Sequence, residues 1–211
     1  TDEGPIVDDG PRPYGSASRM VALAKKLRAE ATRGKPPAGQ AAKRGVLTLS
    51  GGDNFLAGPE FAASLDKGVP FYDSLAHKAM GYDLSIIGNH EFDFGPEVTA
   101  QFIDGFRGTV PFVSANLDVS GEPALQSHAD RGTIVATHVV KIRGERVGVI
   151  GLTTPELPSV SSPRNVKVDP DLAGIANWHA GYLEAKGVNK ILLVSHLQDI
   201  DNELALVPKL R

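Results

Sequence analysis

Residues 86–95 read IIGNHEFDFG: an apolar run and a glycine lead into Asn89, His90, Glu91 and Asp93. Two other apolar runs end in a similar way. VLTLS (46–50) opens onto Gly51, Gly52, Asp53 and Asn54, and ILLVS (191–195) opens onto His196. Carboxylate, amide and imidazole form a hard nitrogen-and-oxygen donor set that suits Mn, Fe, Zn, Co or Mg and excludes sites that need thiolate. A carboxylate such as Asp53 can bridge two cations. Two cations about 3.5–4 Å apart can clamp an in-line displacement at phosphorus, acidify a bound water and offset charge on the phosphoryl oxygens.

Adjacent residues leaving a strand diverge, so Asn89 and His90 take different tasks. Asn89 is assigned to metal, with Asp53 and His196 as companion ligands. His90 then meets substrate, donating a hydrogen bond to the phosphoryl group or a proton to the leaving oxygen. Asp93, three residues on, accepts from the other ring nitrogen, fixing the tautomer and favouring the charged form. Glu91 is a weaker candidate for any role. Gly51, Gly52 and Gly88 allow sharp turns and close approach to an ion or phosphate, while Gly58 and Gly95 read as ends of local segments. Plainer readings exist: GNHEFD as a helix-capping loop, Asp53 as a turn residue, His196 as a hydrogen-bonded strand end. Three strand ends with the same chemistry favour the ligand reading. His77 and His179 on predicted helices, His138 within a strand, and His128 read as structural.

Several elements must position these groups. Ser16 or Ser18 caps a helix with Met20, Val21, Ala24, Leu27 and Ala31 on one face, and the basic run 25–28 on a solvated one. Residues 33–45 read as a mobile loop. Further helices are expected at 70–80, closed by Gly81, at 96–106, from Asp169 or Asp171 to Lys186, and at 200–210. Strands are expected at 46–50, 82–88, 109–116 and 189–196. Two more, at 133–142 and 145–152, are joined by a hairpin at Arg143-Gly144. Residues 118–133 and the Pro/Ser-rich 153–165 read as loops, and residues 1–15 as an irregular N-terminal segment. Alternating helices and apolar strands mean an α/β class, a mixed sheet covered by helices. In such sheets ligands bind beyond the carboxyl ends of the strands.

Composition narrows the function. The chain has 211 residues, 41% of them apolar, enough for one large domain. Aromatics at 6% and a net charge of −3 provide neither stacking platforms nor a basic footprint, so no nucleic acid is expected as partner. Without cysteine there is no disulfide, thiolate site or cysteine nucleophile. No apolar run reaches membrane-spanning length, and the acidic, proline-rich first residues are not a signal peptide, as in a mature or a cytosolic chain.

GGDNFLAG (51–58), GNHEFDFG (88–95) and LLVSHL (192–197) resemble, in order and approximate spacing, the calcineurin-like metallophosphoesterases. The GNHEFD form is similar to the 5′-nucleotidase branch, which includes UDP-sugar hydrolases and 2′,3′-cyclic phosphodiesterases. YGSASRMVALAKKLRAE (14–30), VSANLD (113–118) and GERVGVIGLTTPE (144–156) look like that branch too. The resemblance implies two mixed β-sheets packed as a sandwich with flanking helices, and a partial domain over 16–211. It implies that Asp53 bridges two divalent metals, that Asn89 and His196 ligate the second, and that His90 is the catalytic histidine paired with Asp93. The implied reaction is attack of metal-activated water on a phosphate monoester, a nucleotide or another small ester, in nucleotide breakdown. Family-wide, an extracellular or periplasmic location is implied. Two family motifs, Asp-x-His before the first helix and Gly-His-x-His after the last, have no counterpart, nor does the family's C-terminal specificity domain. The 211 residues alone are therefore expected to hold metal weakly and hydrolyse little. The rival reading is a non-catalytic binding or structural domain that keeps the fold without a complete dinuclear site.

Overall fold

A computed structural model describes residues 16–33 and 44–211, together with the backbone of two strands, β1 (Glu3–Val7) and β2 (Gly10–Pro13). These pair antiparallel, with Val7 opposite Gly10, where the sequence reads as irregular. Proline is admissible there because, among the described residues, each strand pairs on one side only. Most of the loop expected at 33–45 lies outside the described residues.

The chain continues with α1 (Ala17–Arg33), β3 (Leu49–Ser50), α2 (Pro59–Lys67), α3 (Tyr72–Met80), β4 (Leu84–Ile86), α4 (Pro96–Asp104) and β5 (Phe112–Val113). Next come β6 (Leu117–Asp118), α5 (Pro123–Asp130), β7 (Ile134–Val135), β8 (Thr137–Ile142) and β9 (Glu145–Thr153). The last elements are α6 (Leu157–Val160), β10 (Lys167–Val168), α7 (Leu172–Ala185), β11 (Lys190–His196) and α8 (Ile200–Leu206).

Two sheets carry the fold. The first, ordered β3-β4-β5-β7, is parallel throughout; the second, β11-β9-β8, is mixed, with β11 parallel and β8 antiparallel to β9. Leu84, Ile86, Val113 and Val149 fill the space between them. Gly151 permits that approach, since a Cβ there would stand 2.3 Å from the Val113 carbonyl oxygen. The Ala115 N–H donates to the Gly151 carbonyl at 2.8 Å, and Thr153 Oγ1 to the Ile87 carbonyl at 2.6 Å, stitching the two sheets near their carboxyl ends. The expected class, α/β with two packed sheets and flanking helices, holds.

The outer face of the first sheet is covered by α2 to α5, and all eight phenylalanines gather there, seven buried and Phe94 packed against them. Phe55 and Phe61 stack at 4.0 Å, and Phe102 meets Phe106 edge-on at 5.2 Å. The phenylalanines serve packing, while Trp178, Tyr72 and Tyr182 are exposed. Arg143 and Gly144 both take positive φ, 52° and 87°, as a type I′ hairpin turn between β8 and β9 requires. Asp171, not Asp169, caps α7, accepting from the Gly174 N–H at 3.0 Å. Among the described residues no helix is long and apolar enough to cross a membrane.

Three local expectations are corrected. Residues 118–133 are not all loop: α5 forms behind Pro123, but only Leu125 and His128 turn fully inward, too few to set an apolar period. Helix α2 leaves no sequence signal for the same reason, with Phe61 and Ser64 as its buried positions. In α1 the inward side is Val21, Ala24 and Ala31, while Met20 and Leu27 are more than half exposed.

Candidate metal centre

The site is built where strands of both sheets end. β3 delivers Asp53 and Asn54, β4 delivers Asn89, His90 and Glu91, and β11 delivers His196. Beyond β4 the chain winds into one 3-10 turn, His90–Phe92, which points successive side chains in different directions. Asn89 and His90 accordingly diverge.

His196 is the meeting point. Its Nε2 lies 3.1 Å from Asp53 Oδ2 and 3.0 Å from Asn89 Oδ1, and its Nδ1 lies 2.9 Å from the Gly51 carbonyl oxygen. A carbonyl only accepts, so Nδ1 carries the proton. Nε2 then faces two oxygens with its lone pair, which is tenable only if Nε2 is protonated too or shares a cation with them. That arrangement fits a divalent ion: a carboxylate oxygen, an amide oxygen and an imidazole nitrogen converge, and the backbone holds the far side of the ring. Gln198 Nε2 also donates to Asn89 Oδ1. Among the described residues no group of three or more His, Cys, Asp or Glu side chains could hold an ion; the third donor here is the amide of Asn89.

His90 stands beside this set. Its Nε2 is 4.0 Å from Asp53 Oδ2, its backbone N–H donates to Asp53 Oδ1 at 3.0 Å, and its Nδ1 is 2.6 Å from Asp93 Oδ2. Asp93 is held in turn by Ser161 Oγ, which donates to its Oδ1 at 3.0 Å. The His90 side chain is 36% exposed, so Nε2 remains open to a substrate. The Asp93 hydrogen bond raises the His90 pKa above its ordinary value, over the opposing effect of burial. The Asp53 hydrogen bond does the same for His196. Burial pushes the Asp53 carboxyl up, but hydrogen bonds from His196 and the His90 N–H, together with both histidine charges, hold it below the usual range.

The structure thus brings Asp53, Asn89, His90, Asp93 and His196 to one rim. His77, His128, His138 and His179 lie elsewhere, each with its pKa lowered by burial. Sequence reasoning missed three contributors. Ser161 sits in the Pro/Ser-rich stretch that reads as loop, where nothing marks one serine from its neighbours. Gln198 follows His196 by two and carries no motif. Glu91 reads as a weak candidate, yet it is fully buried among four N–H donors.

No family model matches the chain. It is 32% identical over 188 residues to a snake venom 5′-nucleotidase of Gloydius brevicauda, covering 87% of this chain and 28% of that protein. It superimposes on the crystal structure of a 5′-nucleotidase precursor from Thermus thermophilus with a TM-score of 0.77 and 33% identity, over 97% of this chain and 36% of that one. The chain belongs to the 5′-nucleotidase branch of the calcineurin-like metallophosphoesterases. A further member it matches is the trifunctional nucleotide phosphoesterase YfkN of Bacillus subtilis, 37% identical over 152 residues, 60% of this chain and 10% of that protein. The chain therefore spans about a third or less of the length of these relatives.

Proposed function

We propose that this chain is the metal-binding part of a phosphomonoester hydrolase acting on nucleotides. The observation that carries the reading is the convergence of Asp53 Oδ2, Asn89 Oδ1 and His196 Nε2 beside an open His90–Asp93 pair. Divalent cations, of the Zn, Mn, Co, Mg or Fe kind, would supply Lewis acidity and a more acidic water there. Asp53, with one oxygen toward His196 and the other accepting from the His90 N–H, is the residue placed to bridge. His90 donates from Nε2 to a phosphoryl oxygen or passes its proton to the leaving nucleoside oxygen. Asp93 supports that by accepting from Nδ1, which favours the charged imidazolium. Ser161 keeps Asp93 turned toward the ring.

The names of the relatives support a nucleotide as substrate and, through the venom protein, an extracellular or periplasmic place of action. The alternative of a non-catalytic domain is the weaker reading, because a carboxylate, an amide oxygen and an imidazole converge beside an open His90–Asp93 pair, a grouping that a purely structural rim does not require. With three donors, the 211 residues by themselves are expected to bind cation weakly and turn over little.

The test is release of phosphate from AMP and p-nitrophenyl phosphate, with added Mn²⁺, Co²⁺ or Zn²⁺, by the protein that carries this chain. His90→Ala is expected to lower kcat by about 10²–10⁴-fold, with cation content unchanged. Turnover that survives His90→Ala, or that ignores a chelator, contradicts the reading.

A further inference from the structure

Glu91 is the buried ionisable side chain at this rim for which the proposed reaction has no use. Its Oε1 receives the Asn54 N–H at 2.6 Å and Asn54 Nδ2 at 2.8 Å; its Oε2 receives the Gly88 N–H at 2.6 Å and the Asp53 N–H at 3.0 Å. Three of the four donors belong to the segment that follows β3, and the fourth to the turn that follows β4. Asn54 turns its amide so that Nδ2 serves both Glu91 and Ser85 Oγ, which leaves Oδ1 buried without a partner.

The segment so gripped has an uncommon backbone. Gly52 and Asp53 take successive left-handed conformations, φ 101° and 53°, which a free loop would not keep at an aspartate without local support. It also lies against the β4 turn with no room to spare. A Cβ on Gly88 would come within 2.3 Å of Asp53 Oδ1 and 2.7 Å of the Asp53 nitrogen, and one on Gly52 within 2.8 Å of the Gly88 nitrogen. Asp53 and Asn89, the two oxygen donors, hang from opposite sides of this junction.

We propose that Glu91 is a positioning residue whose carboxylate ties segment 51–54 to turn 88–91 and thereby sets the separation of Asp53 and Asn89 as cation donors. The inference rests on reading those two residues as ligands. It makes the acceptor character of Glu91 matter as much as its size. Four N–H groups converge on it, so a glutamine of the same shape must turn an amino group toward one of them, and an aspartate falls one methylene short.

The test compares Glu91→Gln with wild type by amide hydrogen exchange in cation-free protein and by Co²⁺ titration. The Asp53, Asn54 and Gly88 amides are expected to exchange at least about tenfold faster in the variant, the scale of one lost buried hydrogen bond, while β9 amides are unchanged. Co²⁺ affinity is expected to fall by about 10–100-fold, as when other outer partners of metal ligands are removed. Leu125→Ala, in the remote α5, is the control: it lowers the melting temperature and leaves Co²⁺ affinity as it was. If Glu91→Gln does not fold, Glu91→Asp carries the same comparison with the same expected losses. Retained protection at the three amides, or Co²⁺ loss no greater than in Leu125→Ala, overturns the proposal. Asp53→Asn separates it from the reading beneath. If Asp53→Asn loses Co²⁺ and Glu91→Gln does not, positioning alone fails. If Asp53→Asn binds Co²⁺ like wild type, the ligand reading fails, and the amide exchange still decides whether Glu91 ties the two segments.

Discussion

Both ends of the parallel sheet bring histidines beside aspartates, and the histidine pKa values shift in opposite directions. At the carboxyl ends, His90 and His196 each face a carboxylate, and both are pushed toward the charged form. At the amino ends a cavity of about 690 Å³ is lined by Asp83, Asp104, Arg107, His128, Arg131 and His138 among others. There His128 has Arg131 Nη2 3.2 Å from its Nδ1, an arginine it can only accept from, and Asp104 at 3.5 Å from its Nε2. Burial lowers the pKa of His128 and His138. At the amino ends Arg131 lies 4.0 Å from Asp104, whereas at the carboxyl ends a histidine nitrogen sits between a carboxylate oxygen and an amide oxygen. Histidines beside aspartates occur at both ends; what separates them is that the carboxylates prevail over burial at His90 and His196 and burial prevails at His128 and His138.

The largest expected effect that tests this contrast is catalytic. His90→Ala is expected to cost about 10²–10⁴ in kcat, while His128→Ala leaves kcat within about twofold because His128 lies at the far end of the sheet, beside Asp104, Arg131 and the Ala100 backbone. Equal losses in steady-state assays would erase the distinction between the two ends. Next comes cation binding by titration calorimetry. Asp53→Asn is expected to weaken Mn²⁺ binding by about 10–100-fold, and Asp104→Asn not at all.

A smaller effect is set by Ser161. Ser161→Ala removes one hydrogen bond from Asp93, and a net loss of about 1 kcal/mol corresponds to roughly a fivefold fall in kcat with KM unchanged. Steady-state kinetics with both parameters resolved checks it. The smallest concerns stability against pH. His77, His128, His138 and His179 are all lowered by burial from an ordinary value of 6.5. The unfolded chain therefore binds their protons first as pH falls. Their contribution is complete above 6.5 and is lost as pH drops through that value toward the lower folded pKa values. A fall in melting temperature of about 2–4 °C for each kcal/mol lost is expected between pH 7.5 and 5.5, measured by calorimetry in cation-free protein.

Much of this rim is legible in the sequence because its residues follow apolar runs directly. Strand β4 has all three of its residues buried, and the run that marks it in the sequence ends at the residues the site uses. What is not legible lies in groups identified only by what they meet across the fold. Ser161 reaches Asp93 over 68 positions, and Glu91 reaches Asn54 over 37. No local pattern records either pairing. Helices α2 and α5 escape for a related reason: each buries two residues fully and is held mainly by packing over the phenylalanine cluster. The hairpin at Arg143-Gly144 and the cap at Asp171 are readable because turn and cap chemistry is local.

The central claim is that Asp53, Asn89 and His196 share a cation. Anomalous diffraction from crystals soaked in Mn²⁺ or Co²⁺ tests it most directly. A peak about 2.0–2.2 Å from Asp53 Oδ2, Asn89 Oδ1 and His196 Nε2 is the predicted result. A peak among the residues of the opposite cavity, with none beside His196, would contradict it.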